Sequence, residues 1–200
     1  MPFASTTIAD FLKQTAAKTP TPGGGAVASA VGALSAALAQ MVVSYSLGKK
    51  NLADHQPRLT EAALILERAR AVLLELAEED AAAYGLVNEL QKLPEGDPRR
   101  AQLPAANAAS VQVPLAVMAA CVDLLRLFVT LAPITNRQLR SDLAIAAILA
   151  EATARGSRWN VEVNLAFLND DAEKARSVKL VGTLLPEAAR LAAEAEKACS

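Results

Sequence analysis

Thr19-Pro20-Thr21-Pro22-Gly23-Gly24-Gly25-Ala26-Val27-Ala28-Ser29-Ala30-Val31-Gly32 is the stretch whose reading decides the fold. Each threonine precedes a proline, which pushes it out of the α region, so a helix arriving from the N-terminal side ends here. The glycines form a turn. The run that follows, residues 25–47, carries Ala, Ser, Val and Leu with small residues all around it, and Gly48 stops it. A helix apolar on every side is a buried helix, so this one is expected at the centre of a bundle. Residues 19–48 contain no charged side chain, and roughly 20 apolar residues suffice to cross a bilayer. A membrane helix over residues 26–47 is therefore the competing reading. Its Ala, Ser and Gly content, with Gln40 in the middle, is weakly hydrophobic for lipid and favours the bundle.

Working outward, Ser5, Thr6 or Thr7 can cap a first helix with Ile8, Phe11 and Leu12 on one face. C-terminal to the central helix, Pro57 suits a first helical turn. From there Leu59, Ala63, Leu66, Leu73, Leu76 and Ala77 form an apolar stripe that continues through Asp80, Tyr84 and Val87 and closes at Pro94. A fourth helix spans about residues 105–131 with a kink at Pro114, and Pro133 ends it. A fifth covers about residues 137–155 and is stopped by Gly156, and a shorter one follows over residues 159–168. Asn169, Asp170 or Asp171 can cap the last helix, kinked near Pro186. No alternating strand pattern stands out. The expectation is an all-α helical bundle of about six to seven helices with a central helix rich in small residues, residues 1–200 forming one domain.

Composition narrows the function. The 20 basic and 21 acidic residues give a formal charge of −1, without the basic excess of a general nucleic-acid binder. Aromatic residues make up only 4% of the chain, so Leu, Val and Ala must build the core. Cys121 and Cys199 stand far apart in no redox motif, which fits free thiols in a reducing compartment. His55 is the one histidine, so no histidine-based metal site is available, and it reads as a loop residue. The N-terminus lacks the charged-then-apolar pattern of a signal peptide, and the cytoplasm is expected. Trp159 reads as core packing.

Four places can carry chemistry. At Gly23, Gly24 and Gly25 the backbone can approach a ligand, and the free N–H groups of the next helix attract an anion; the alternative is a tight turn that lets two helices pack. No Lys-Ser or Lys-Thr follows, so this is not a P-loop. Asp80 falls on the inward stripe, where a carboxylate is either bonded to a buried polar group or has a raised pKa suited to a general acid. Lys49 and Lys50 either complement a helix C-terminus or contact an anionic ligand tail. Asn136, Arg137, Arg140 and inward-facing Asp142, with Asn160 and Asn164 four apart downstream, suit a polar heterocycle or a buried network joining helices or subunits.

Taken together, three segments resemble the cyclodeaminase/cyclohydrolase family of folate one-carbon enzymes. They are Thr19–Gly25 with the Ala-rich helix and Gly48-Lys49-Lys50; Asp80-Ala81-Ala82-Ala83-Tyr84; and Ser141-Asp142-Leu143 with Asn160-Val161-Glu162-Val163-Asn164-Leu165. After Lys50 the chain reads Asn51-Leu52-Ala53-Asp54, without the aromatic residue often found there in the family. The resemblance implies an all-α homodimer, a tetrahydrofolate substrate, polyglutamylated in some forms, and no metal or organic cofactor. It implies that Asp80 is the catalytic aspartate and that the formiminotransferase half of the fused enzymes is missing. The implied reaction is conversion of 5-formimidoyltetrahydrofolate to 5,10-methenyltetrahydrofolate with release of ammonia; hydrolysis of the methenyl compound to 10-formyltetrahydrofolate is the variant. Tyr84 and the Asp142, Asn160 and Asn164 cluster would contact the pterin or the partner subunit, and Lys49, Lys50, Arg137 or Arg140 the glutamate carboxylates. A non-catalytic helical dimer that binds folate or a protein is the reading from another class.

Overall fold

Six α-helices make up the fold of this computed structural model, which describes residues 3–200. Helix α1 (Ile8–Thr15) is capped by Thr7, the third of the three candidates, whose Oγ1 accepts from the Asp10 N–H at 3.1 Å. Helix α2 (Gly24–Ser44) leaves the glycine turn, in which the Thr21–Pro22 peptide is cis. Gly48, at φ 73°, turns the chain after it, a left-handed conformation that glycine adopts without penalty. A short 3₁₀ turn, Lys50–His55, feeds α3 (Gln56–Gln91), which begins with Pro57 in its first turn as expected. Helix α4 (Leu103–Leu131) runs unbroken through Pro114.

Helix α5 (Arg140–Leu165) corrects the reading of two helices divided at Gly156. A glycine inside a helix costs about 1 kcal/mol relative to alanine. Ser157, the next residue, and Val161, a little over one turn on, are both buried and hold the helix together past it. Trp159 is also corrected: it is 67% exposed, with the Arg158 guanidinium 5.3 Å from its ring centre. His55 ends the 3₁₀ turn before α3 rather than sitting in an open loop. Helix α6 (Asp171–Cys199) is capped by Asp170, whose Oδ1 accepts from Ala172 N at 2.8 Å and Glu173 N at 3.1 Å.

Helices α2 and α4 each pack between α3 and α5, on opposite sides, and α6 lies outside α4 and α5. The core is Leu, Val and Ala, with Phe128 as its one fully buried aromatic among the described residues. Small residues on α2 serve close packing. A Cβ added at Gly32 would lie 3.2 Å from Thr153 Cγ2 and 3.3 Å from Leu73 Cδ2. Ser29 Oγ donates to the Leu73 carbonyl at 2.8 Å and Ser35 Oγ to the Ala146 carbonyl at 2.7 Å, both buried. These bonds fix the rotation of α2 between its neighbours, which aims its first turn at α3.

One stripe along α2 is only partly covered: Val27, Val31, Leu38 and Met41 are half-buried, while Leu34 is 56% exposed and Tyr45, just past the end of the helix, 62%. Two segments, Gly24–Ser44 and Pro98–Ile134, are long and apolar enough to cross a membrane by length and composition, and half of each apolar window is buried inside the bundle.

Candidate functional site

Asp80 enters the site because α3 turns it toward α2. One and two turns earlier on the same stripe, Leu76, Ala77 and Leu73 are buried against the core, so Asp80 follows them inward. There it meets the first turn of α2. Gly23, the residue before that helix, offers no side-chain cap. The Asp80 carboxylate comes up against the backbone N–H of Ala26 instead, which favours its charged form. A carboxyl of the protein's own α3 thus stands at the helix N-terminus, beside the turn where the sequence suggested a ligand anion.

This contact explains one glycine in particular. A Cβ at Gly25 would overlap the Asp80 carboxylate outright, whereas one at Gly24 would lie 3.4 Å from Asn160 Oδ1 and one at Gly23 3.8 Å from the Pro20 carbonyl. Gly25 is glycine because the carboxylate occupies the space of its side chain. Two opposing effects act on the Asp80 proton. Burial pushes its pKa above the ordinary carboxylate range, and the Ala26 N–H pulls it back; burial wins. The group is half-buried, so it can exchange protons with a ligand.

A pocket of about 200 Å³ opens beside Asp80. The glycine turn gives one wall, with Pro20, Thr21 and all three glycines; α3 gives Asp80 and Tyr84; α5 gives Asn160, Val163 and Asn164; α4 gives Ser110. Tyr84 is 45% exposed at the rim. Asn164 Nδ2 donates to the Ser110 carbonyl at 2.8 Å, while Asn160 Nδ2 reaches the Gly156 carbonyl only at 3.5 Å, leaving most of its hydrogen-bonding capacity for a ligand. Pro20, Thr21 and Val163 fall inside the Thr19–Gly25 and Asn160–Leu165 segments quoted for the resemblance, whereas Ser110 did not stand out in the sequence; its signal was Pro114, four residues on.

The remaining candidates lie elsewhere. Asp142 precedes Asn160 by 18 residues on α5, about 27 Å at 1.5 Å per residue. It sits half-buried in the first turn, where its charge complements the helix dipole. Asn136 is spent on local structure: its Oδ1 caps the turn Arg137–Leu139 through Gln138 N at 3.3 Å, and its N–H donates to Ser46 Oγ at 2.9 Å. Lys49 and Lys50 follow the far end of α2, and Arg140, with a buried, unpartnered Nε, stands beside Cys199. Within one chain the structure thus unites Gly23, Gly24, Gly25, Asp80, Tyr84, Asn160 and Asn164, and separates Lys49, Lys50, Asn136, Arg140 and Asp142 from them.

A larger groove of about 420 Å³ between α5 and α6 carries Arg155, Arg158 and Trp159. Its arginines are already paired, Arg155 with Glu151 at 3.6 Å and Arg158 with Glu162 at 2.6 Å. Among the described residues, no group of three His, Cys, Asp or Glu side chains is placed to hold a metal ion.

Comparison with known proteins identifies the family. The sequence model of the formiminotransferase-cyclodeaminase family matches residues 7–181. Formimidoyltransferase-cyclodeaminase of Mus musculus is 32% identical over 193 residues, covering 94% of this chain and 36% of its own length. The chain therefore spans about a third of that relative. Methenyltetrahydrofolate cyclohydrolase of Methylorubrum extorquens is 33% identical over 190 residues, with 92% of this chain and 91% of the relative covered. The crystal structure of formiminotetrahydrofolate cyclodeaminase from Thermotoga maritima superposes with a TM-score of 0.90 at 30% identity, covering 98% of this chain and 96% of the other. The family match over most of the sequence, with relatives aligned across the segments that build the Asp80 pocket, means that this chain belongs to the formiminotransferase-cyclodeaminase family.

Proposed function

We propose that the protein closes 5-formimidoyltetrahydrofolate to 5,10-methenyltetrahydrofolate with release of ammonia, and that Asp80 moves the proton. The observation that carries this reading is a half-buried carboxyl with a raised pKa on the wall of a pocket lined by two amides and a glycine turn. N10 attacks the carbon of the formimidoyl group, which carries its extra proton as an amidinium, and a C–N bond forms. Asp80 accepts the N10 proton and passes it to the exocyclic nitrogen. The C–N bond to that nitrogen then breaks, ammonia leaves, and the positive charge stays on the methenyl product. Proton transfer of this kind contributes about 10²–10⁴-fold. Holding N10 against the carbon supplies the rest, a task for the glycine turn, Tyr84, Asn160 and Asn164. One C–N bond forms, one breaks and a proton moves from N10 to the leaving nitrogen, with no change of oxidation state, so neither a metal nor an organic cofactor enters the proposal.

Hydrolysis of 5,10-methenyltetrahydrofolate is the second reading. It is favoured by the coverage of the Methylorubrum extorquens cyclohydrolase over 91% of its length. Here Asp80 would deprotonate water for attack on the methenyl carbon. Assay of the purified protein with both substrates separates the two, since only one reaction releases ammonia. Asp80→Asn is expected to keep the fold and lower turnover about 10²–10⁴-fold in whichever reaction occurs. Undiminished turnover in that variant removes Asp80 from the mechanism. Folate binding with conversion of neither substrate favours the non-catalytic dimer.

The proposal extends to a homodimer in the cytoplasm. The partly covered stripe of α2 repeats at spacings of four and three residues, the pattern of a seam that receives a second helix. A two-fold axis across the middle of α2 would pair two copies antiparallel. Helix α2 has 21 residues and is about 32 Å long. That pairing would bring Lys49 and Lys50 of the partner subunit toward the glycine turn, where they would meet the glutamate carboxylates, including those of a polyglutamylated tail. Within one chain they lie a helix length from the pocket.

A further inference from the structure

The Ser110 carbonyl that accepts from Asn164 lies four residues before a proline that does not line the pocket. In an α-helix each carbonyl accepts from the N–H four residues later. For Ser110 that residue is Pro114, which has no N–H and whose ring crowds the carbonyl four residues before it. Pro114 is buried in the interior of α4, and Ser110 is only 7% exposed, so water is poorly placed to satisfy the freed carbonyl. Asn164 Nδ2, arriving from α5, satisfies it at 2.8 Å. Two further bonds hold this junction: Ser110 Oγ donates to the Asn107 carbonyl at 2.9 Å, and Asn107 Nδ2 donates to the Phe167 carbonyl, just past the end of α5, at 3.0 Å.

We propose that Pro114 is a positioning residue for the pocket: by removing one helix hydrogen bond it turns the Ser110 carbonyl outward and thereby fixes which way the Asn164 amide faces. With one N–H of Nδ2 committed to Ser110, Asn164 presents its Oδ1 and its second N–H. That acceptor-and-donor pair complements a ligand edge with a donor beside an acceptor, such as the amino and ring-nitrogen edge of a fused pyrimidine. This deepens the folate reading and rests on it for the identity of the ligand. The hydrogen-bond exchange itself stands on the geometry of α4 and α5.

Pro114→Ala supplies the missing N–H and relieves the crowding, so the Ser110 carbonyl returns to its own helix. Its expected signature is unusual for a core substitution: Tm unchanged or raised, kcat little changed, and KM for the folate substrate raised about threefold to tenfold, the worth of one hydrogen bond. Because the effect passes through Asn164, Pro114→Ala should add nothing to KM in an Asn164→Ala background. Independently of turnover, the Asn164 side-chain amide protons, assigned by their loss in Asn164→Ala, should exchange faster with solvent in Pro114→Ala. Unchanged amide exchange, or KM effects that add in the double variant, would overturn the inference. Failure of the wild-type protein to convert either folate would instead defeat the functional reading, and amide exchange would still decide the role of Pro114.

Discussion

Substitution of the three glycines of the turn by alanine, one at a time, tests the geometry of the site more sharply than removal of any reacting group. No chemical group is lost in these variants; only space is filled. At Gly25 the new methyl would overlap the Asp80 carboxylate, which must withdraw by about 1 Å or more, and a misplacement of that size costs about 10²-fold in rate. At Gly24 the methyl would lie 3.4 Å from Asn160 Oδ1, an ordinary contact, and at Gly23 its nearest neighbour would be 3.8 Å away. The expected order of loss in kcat/KM is therefore Gly25→Ala far above Gly24→Ala, with Gly23→Ala least affected. Stability should not follow the same order. Overpacking at Gly25 costs about 1–3 kcal/mol, and alanine in the first turn of α2 returns up to about 1 kcal/mol through helix propensity. A Gly25→Ala protein that melts within a few degrees of wild type yet turns over about 10²-fold more slowly would show that the glycine is required by the carboxylate rather than by the fold. The measurements are initial rates of methenyltetrahydrofolate and ammonia formation, with thermal melts of each variant. Wild-type kcat/KM in Gly25→Ala, or equal losses at all three positions, would refute the placement of Asp80 against α2.

Two further outcomes follow from the same structure. Asp80 has its pKa raised above 3.8 by folding, so the native state holds this proton more tightly than the unfolded chain. Its contribution to stability is fully present below 3.8 and is lost as pH rises through the native pKa. Melts of Asp80→Asn and wild type across about pH 4–8 should therefore diverge in favour of the variant as pH rises, and divergence in the other direction would mean that the Ala26 N–H outweighs burial. Leu34→Glu, on the partly covered stripe of α2, should split a homodimer into monomers by light scattering while changing the stability of a lone chain by only about 0.5 kcal/mol; a wild-type protein that is already monomeric would defeat the dimer.

Much of this molecule was legible because its punctuation is local. Thr7 and Asp170 cap helices by side-chain bonds to residues two or three positions on, Pro57 opens α3, and Gly48 turns the chain after α2. These are steric and hydrogen-bonding preferences of a few consecutive residues. The apolar period of α3 also identified Asp80 as an inward carboxylate, since a face is a property of spacing alone. Local rules misjudged Gly156 and Trp159 for one reason: what lies against each face of α5 outweighs the intrinsic preference of a single residue.

The amino-acid sequence by itself determined the helices apart from the continuity of α5 through Gly156, the inward face of Asp80 and the glycine turn. Only the tertiary structure decided that Asp80 occupies the side-chain space of Gly25, that Asn160 and Asn164 share its pocket, and that Asp142, Lys49 and Lys50 do not. Spacing along a helix fixes an angle about its axis, and it is silent on which end of which neighbour that angle meets. That choice belongs to the packing of α2 between α3 and α5, set by buried contacts such as Ser29 to Leu73 and Ser35 to Ala146 between residues far apart in the chain.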